Sequence, residues 1–415
     1  MREHLISSFS PGEDIHASNW RDIFARCALA FFCIALWQKW SLFYAFFFLT
    51  SAWIIDGGLQ KFGRLIEEPL VLGILVFCGV LVLGLLWSDY SDMGQNKWKK
   101  YFILLTFIPF LSLLNKERLP WVMAAFLIGY LGVLLTGCYQ WMVSGEKGAP
   151  FFEISYLAFS AMLGIGIILM AFLGSICQER KITFLCWAIA IFLLFLQFHQ
   201  SARGLLLATI LTLLLLIFLR YRSQGKKFLG ILALFMTVIL LFAVSSNDFQ
   251  ERLELIKNDL NLVLQGDYTT SLGYRLAIWD VGVHGIAKRP LLGYGTGMPE
   301  IYFEETIQTY KNGIYKDLPE FQKTSHYHND WIEIGMHLGG LGIFALVFLL
   351  WSWFQTLKNH QLSLLGMVLI YYVFLAGLTD TFLLYNRIPI ILLVVTAIMV
   401  CWQRPIIGAY NLLKI

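Results

Sequence analysis

The chain has 415 residues, of which 58% are hydrophobic and only 14% charged, with a mean hydropathy of +0.68. Soluble domains carry roughly 25% charged residues, so the composition excludes a soluble globular protein and points to an all-α polytopic membrane protein. The net charge of +4 is ordinary for such a protein and gives no reason to invoke nucleic acid.

Apolar stretches near the length needed to cross a bilayer predict twelve spans. They lie near 22–37, 40–55, 69–87, 101–115, 121–143, 153–177, 182–199, 204–219, 228–246, 330–353, 364–379 and 390–402. Helices are expected, because each segment must satisfy its own backbone polar groups inside lipid. The chain therefore divides into a bundle of about nine helices over 1–246, a long loop over 247–329 and about three helices over 330–415. The first apolar run follows about twenty polar residues and has no small-residue cleavage site, so no cleaved leader is expected. An even number of spans puts both termini on one side. With the termini inside, the inner segments hold fifteen Lys and Arg residues against seven in the short outer loops. That bias predicts cytoplasmic termini and an extracytoplasmic 247–329 loop. All seven cysteines fall in or beside spans, so no disulfide framework is expected in the loop.

Within the loop, Leu253, Ile256, Leu260 and Leu264 recur at helical spacing and predict an amphipathic helix from Asp248 to Leu264 along the membrane surface. Gln265-Gly266-Asp267 breaks it. A second helix is predicted over 271–288 and ends at Arg289-Pro290. Gly293-Tyr294-Gly295-Thr296-Gly297 follows as a turn-rich loop. It is not a phosphate-cradling P-loop, since no Lys-Ser/Thr follows it.

The spans hold few ionisable groups at midplane depth, which weighs against an ion-driven transporter. The polar residues collect at the predicted outer face instead. His328-Asn329 ends the long loop just before an apolar span, with glycines at 339 and 342. A titratable imidazole thus sits where water meets membrane, a place suited to proton chemistry on a substrate with one end in lipid. Arg203 stands where the eighth span starts, and Arg275 lies in the second loop helix. Two separated guanidinium groups can clamp a pyrophosphate through bidentate hydrogen bonds. Lys97 and Lys100 in a basic loop are further donor-binding candidates, and Asn329 and Asp380 are supporting candidates. Each has a plainer reading. Arg203 can snorkel to headgroups, the lysines can anchor at the interface, Arg275 can pair with Asp280, and Asp380 can be a polar turn. His326 and His328 form an i, i+2 pair with no cysteine and no third ligand at a metal-site spacing, so neither metal nor cofactor is expected.

Taken together, four places resemble the O-antigen ligase/polymerase superfamily of bacterial inner-membrane glycosyltransferases. They are Ser201-Ala202-Arg203-Gly204; Arg275-x-x-x-Trp279 with Arg289-Pro290-Leu291-Leu292 before the glycine loop; His328-Asn329 with Gly339 and Gly342; and, more loosely, Leu86-Trp87-Ser88-Asp89. The strongest of these cover about residues 200–345. The resemblance implies a metal-independent, GT-C-like helical transferase. It also implies a glycan donor on undecaprenyl pyrophosphate and an active site on the periplasmic side of the inner membrane. On that reading His328 is the general base, Arg203 and Arg275 bind the pyrophosphate with Lys97 and Lys100 in support, and Asn329 and Asp380 position. One dominant late outer loop resembles the ligase branch, whose acceptor is a sugar hydroxyl of lipid A–core. A polymerase, a protein O-oligosaccharyltransferase and, from another class, a lipid-linked glycan flippase are the alternatives.

Overall fold

The computed structural model describes residues 14–38, 41–88, 97–297, 299–324, 326–385 and 387–403. Among these the fold is all helix, with one isolated β-bridge between Ala149 and Ile154. The first part of the chain forms α1 (Asp14–Ala35), α2 (Ser41–Ile55), α3 (Gly58–Leu65) and α4 (Pro69–Leu83), then α5 (Phe107–Leu113) and α6 (Leu119–Ser144). It continues through α7 (Tyr156–Ile176), α8 (Arg180–Phe198), α9 (Arg203–Tyr221) and α10 (Gly225–Ser245). The long loop folds into α11 (Asn247–Leu264), α12 (Ser271–Lys288), α13 (Pro299–Thr306) and the single turn α14 (Leu318–Phe321). The chain returns through α15 (Asp330–Asn359), α16 (Ser363–Thr379) and α17 (Ile388–Gln403).

All twelve predicted spans fall on helix. Among the described residues, seven helices (α4 with its 3₁₀ extension to Trp87, α6 to α10, and α15) are long and apolar enough to cross a membrane. An eighth is added if α2 and α3, bent by 93° at Asp56-Gly57, count as one. The remaining four expected spans differ for identifiable reasons. Charges at Arg21, Asp22 and Arg26 occupy the middle of α1. The 101–115 region is a 3₁₀ stretch, Lys97–Thr106, running into the seven-residue α5. Helices α16 and α17 are apolar but only 17 and 16 residues long.

Burial follows the apolar patterning. α17 is apolar on every side and buried from Ile388 to Cys401, as expected of a helix packed inside the bundle. α10 is equally apolar yet buries no residue, so it forms the outer wall. The loop carries its own small aromatic core of Tyr274, Ile278, Val281, Phe303, Tyr315 and Tyr327, into which Met336 of α15 also packs.

The glycine-rich loop is a structural staple. Helix α15 is broken at Gly339, whose φ of 57° and ψ of −143° lie where essentially only glycine is found. The loop fills the break. Tyr294 and Gly295 donate backbone N–H groups to the carbonyls of Met336 and His337, and Gly340 and Leu341 donate back to Pro290 and Leu291. Thr296 then ties the loop to α4 through N–H to Gly84 O (3.1 Å) and hydroxyl to Leu81 O (2.7 Å).

At the start of α6, Arg118 is buried and joins three elements. Its Nε donates to Asp22 (2.8 Å), one terminal nitrogen to Asp56 (3.0 Å) and the other to the Leu113 carbonyl (2.9 Å).

Candidate active site

A cavity of about 330 Å³ lies where α7, α9, α11, α12 and α16 meet. Tyr156, Ser201, Arg203, Gly204, Asp259, Ser271, Arg275, Thr379 and Asp380 are among its lining residues. Two arginines 72 positions apart in sequence thus face one space with two carboxylates, Asp259 and Asp380, at its wall. The placement of Arg203 follows from its neighbour. A Cβ on Gly204 would lie 2.6 Å from Thr379, so only glycine lets the first turn of α9 approach the end of α16 and Asp380 this closely. Ser271 and Arg275 are one turn apart on α12, whose first turn is capped by the Thr270 hydroxyl accepting from Gly273 N–H.

His328 stands beside this cavity, just ahead of α15, with a left-handed φ of 48°. Its Nδ1 is 2.9 Å from Asp380 Oδ1. Tyr385 donates its hydroxyl to the other carboxylate oxygen, and Thr381 donates its N–H to Oδ1 (2.8 Å). Burial alone would raise the Asp380 carboxyl, but His326, His328 and Tyr385 outweigh it and hold the group well below the usual carboxylate range. An ionised carboxylate only accepts hydrogen bonds, so Nδ1 of His328 carries the proton and Nε2 keeps its lone pair. Burial pushes the His328 imidazole below its ordinary 6.5, with repulsion from His326 and Arg275 adding to this and the Asp380 contacts opposing it. The result is a neutral imidazole of fixed tautomer at neutral pH, poised to take a proton. Tyr274, the residue before Arg275, sets its ring edge-on to His328 at 6.5 Å between centroids.

Asn329 caps α15. Its Oδ1 accepts from Trp331 and Ile332 N–H (2.9 and 3.2 Å), and its Nδ2 donates to Leu378 O (3.0 Å). It therefore ties the His328 loop to the end of α16 rather than bonding the imidazole. Lys97 and Lys100 begin the 3₁₀ stretch before α5 and do not line the cavity. Asp89 of the loosest motif lies outside the described residues, as do Arg2, Lys39, Arg404 and Lys414 of the charge bias. Asp280, the plainer partner for Arg275, is instead engaged by Lys311 (2.6 Å) and Tyr315 (2.9 Å). Arg387 donates to the Phe152 carbonyl at 3.0 Å and ties the last turn to the loop before α7.

The structure supplies the third group that the His326/His328 spacing lacked. Nε2 of His326 lies 3.7 Å from Asp380 Oδ1, and the ligand atoms of His326, His328 and Asp380 all fall within 4.8 Å of one another. That is compact enough for a cation, although Asp380 already accepts from Tyr385 and Thr381. A larger cavity, about 940 Å³, runs between α7, α8, α9 and α10. Its walls are almost wholly apolar, with Arg180 among the few polar lining residues, and carry neither Arg203 and Arg275 nor the His328 group, so the smaller polar cavity is the candidate site.

Residues 187–347 match the O-antigen ligase family. Over 342 residues the chain is 28% identical to the O-antigen ligase of Escherichia coli (strain K12), covering 79% of this chain and 80% of that protein. Over these residues the chain is similar to the O-antigen ligases. That similarity supports a glycosyltransferase-type enzyme of lipopolysaccharide biosynthesis, and the helices support a multi-pass membrane protein. The matched region of this O-antigen ligase homologue runs from α8 to the middle of α15. It takes in Arg203, Arg275 and His328 and leaves Asp380, Lys97 and Lys100 outside. Sequence reasoning missed Tyr385, Tyr156 and Asp259. None stands in a motif, and only the fold brings Tyr156 and Asp259 to the cavity and Tyr385 to Asp380. The nearest signal was Tyr385, five positions after Asp380 in the same short turn.

Proposed function

We propose that this protein transfers a glycan from undecaprenyl pyrophosphate to a sugar hydroxyl of lipid A–core. The reaction takes place at the periplasmic face of the bacterial inner membrane, with both termini in the cytoplasm. The observation that carries this reading is the convergence of Arg203, Arg275 and Asp380 on one cavity, with His328 hydrogen-bonded to Asp380. In the reaction the acceptor oxygen attacks C1 of the donor sugar as the bond from C1 to the pyrophosphate oxygen breaks. Nε2 of His328 takes the acceptor proton, and the resulting imidazolium is stabilised by Asp380. The leaving undecaprenyl pyrophosphate keeps the electron pair. Arg203 and Arg275 stabilise its growing charge, which a low-dielectric site strengthens. In this account the arginines do the electrostatic work that a metal does elsewhere, and the reaction needs none. Lys97 and Lys100, away from the cavity, act at most by attracting the anionic donor along the surface.

The test is transfer by purified full-length protein from undecaprenyl-pyrophosphate glycan to lipid A–core, with and without a strong chelator. The expected product is glycosylated lipid A–core, formed at the same rate in both. Lengthened lipid-linked glycan would make the protein a polymerase. Loss of transfer in chelator, restored by added metal, would reassign His326, His328 and Asp380 as metal ligands. No product with active donor would sink the transferase reading for these substrates.

A further inference from the structure

Resting on the reading of His328 as the base, we infer that Trp279 and Glu333 are positioning residues for it, clamping the peptide groups of Tyr327 from two sides. Trp279 Nε1 donates to the Tyr327 carbonyl at 2.9 Å. Glu333 Oε2 accepts from the Tyr327 N–H at 2.8 Å. The Tyr327 ring between them is fully buried in the loop core. The residue ahead of the base is thus fixed at its N–H, its C=O and its side chain.

The clamp has work to perform, because His328 holds a left-handed φ of 48° that a residue with a Cβ adopts only when its surroundings enforce it. Released, the backbone would relax and swing the imidazole away from Asp380. Asn329 fixes the other side of His328 as the cap of α15, and Glu333 sits in the first turn of the same helix.

Glu333 is itself held in place. Its Oε1 lies 3.4 Å from Nε2 of His337, and both side chains are almost completely buried. Nδ1 of His337 lies 3.2 Å from the Gly297 nitrogen and 3.4 Å from the Gly295 carbonyl oxygen, so its ring bridges the glycine-rich loop and Glu333. A chain of contacts therefore runs from the glycine-rich loop through His337 and Glu333 to the Tyr327 peptide. On the other side, Trp279 lies one helical turn after Arg275 on α12. One helix thus carries both a cavity arginine and half of the clamp, which gives the Arg275-x-x-x-Trp279 spacing a mechanical meaning. The pair acts through His328 and does not contact the reacting atoms.

The experiment compares full-length Trp279→Phe, Glu333→Gln and Glu333→Ala with wild type and His328→Ala. It measures kcat, donor KM and the pH dependence of the rate. Trp279→Phe keeps an aromatic side chain but loses the indole N–H donor and part of the ring volume. It should lower kcat by about 10- to 100-fold, the scale of a slight misplacement of a catalytic group, with donor KM unchanged. Glu333→Ala should fall at least as far, and Glu333→Gln, which keeps an oxygen for the Tyr327 N–H, should recover most of the loss. In Trp279→Phe the acid limb of the pH profile should move up towards an ordinary imidazole as water reaches His328. Wild-type kcat in both Trp279→Phe and Glu333→Ala, with His328→Ala inactive, overturns the clamp and leaves the base assignment standing. Wild-type transfer by His328→Ala removes the base assignment and the clamp with it. Equal losses in abundance and activity, with an unmoved pH profile, overturn the clamp by making both residues merely structural.

Discussion

His328 can accept a proton only while neutral, and its surroundings set where that condition fails. Burial, His326 and Arg275 lower its affinity for a proton below the ordinary 6.5, while Asp380 raises it. Acidification protonates the imidazole, so transfer should fall as pH drops through a value below 6.5 and be flat above it. Asp380→Asn removes the group that favours the charged form. The acid limb should then move further down in pH, not up. The plateau should also fall by about 10²- to 10⁴-fold, because an amide no longer fixes the tautomer or stabilises the imidazolium. A kcat/KM profile between pH 5 and 8 checks both signs. An acid limb above that of wild type would contradict the geometry given for Asp380. At this scale the sequence was only partly legible. His328, Arg203 and Arg275 are visible in it because polar groups at apolar edges stand out. Asp380 was legible as a positioning candidate, but its bond to His328 spans 52 residues, and those of Tyr385 and Glu333 are made across irregular turns five and six residues from their partners, where no helix or strand period points to them.

Among the elements, the break in α15 explains the glycine that a motif could only mark. A Cβ at Gly339 would lie 2.6 Å from the Leu291 carbonyl carbon, at a φ of +57°. Gly339→Ala should therefore destabilise the protein by about 1–3 kcal/mol from backbone strain alone, with more from displacement of the staple loop. Thermal unfolding in detergent should show a lower midpoint and less folded protein in the membrane. An unchanged midpoint would mean that the break closes into continuous helix without loss. The two loop helices were legible, since amphipathic spacing and a Gly or Arg-Pro stop bound each of them, and they fall at 247–264 and 271–288. The predicted surface helix has a split role. Leu253, Leu260 and Leu264 are exposed, while Ile256 and Asp259 line the cavity. The pairing of the glycine loop with α15 was not legible. Its hydrogen bonds are made by backbone groups, which carry no sequence signal beyond permission for the turn.

Over the whole molecule, hydropathy located the helices but not how many of them are full spans. Among the described residues, length and composition mark seven or eight, because a 3₁₀ stretch, a charged first helix and two short helices, of which α17 is buried, read as apolar runs just as longer helices do. Buried helices such as α17 need not match the bilayer, since neighbouring helices surround them. What the fold adds is convergence. The starts of α9 and α12, the end of α16 and the loop before α15 meet at one cavity, so residues spread from 203 to 380 act together. The account stands on which histidine of the neighbouring pair does the chemistry there. The most direct measurement is single-turnover glycan transfer from undecaprenyl pyrophosphate by His328→Ala and His326→Ala, each at wild-type abundance and in chelator. A loss of about 10²- to 10⁴-fold in His328→Ala, with His326→Ala losing less than about tenfold, is the predicted result. Wild-type transfer by His328→Ala, or equal loss in both variants, would contradict it.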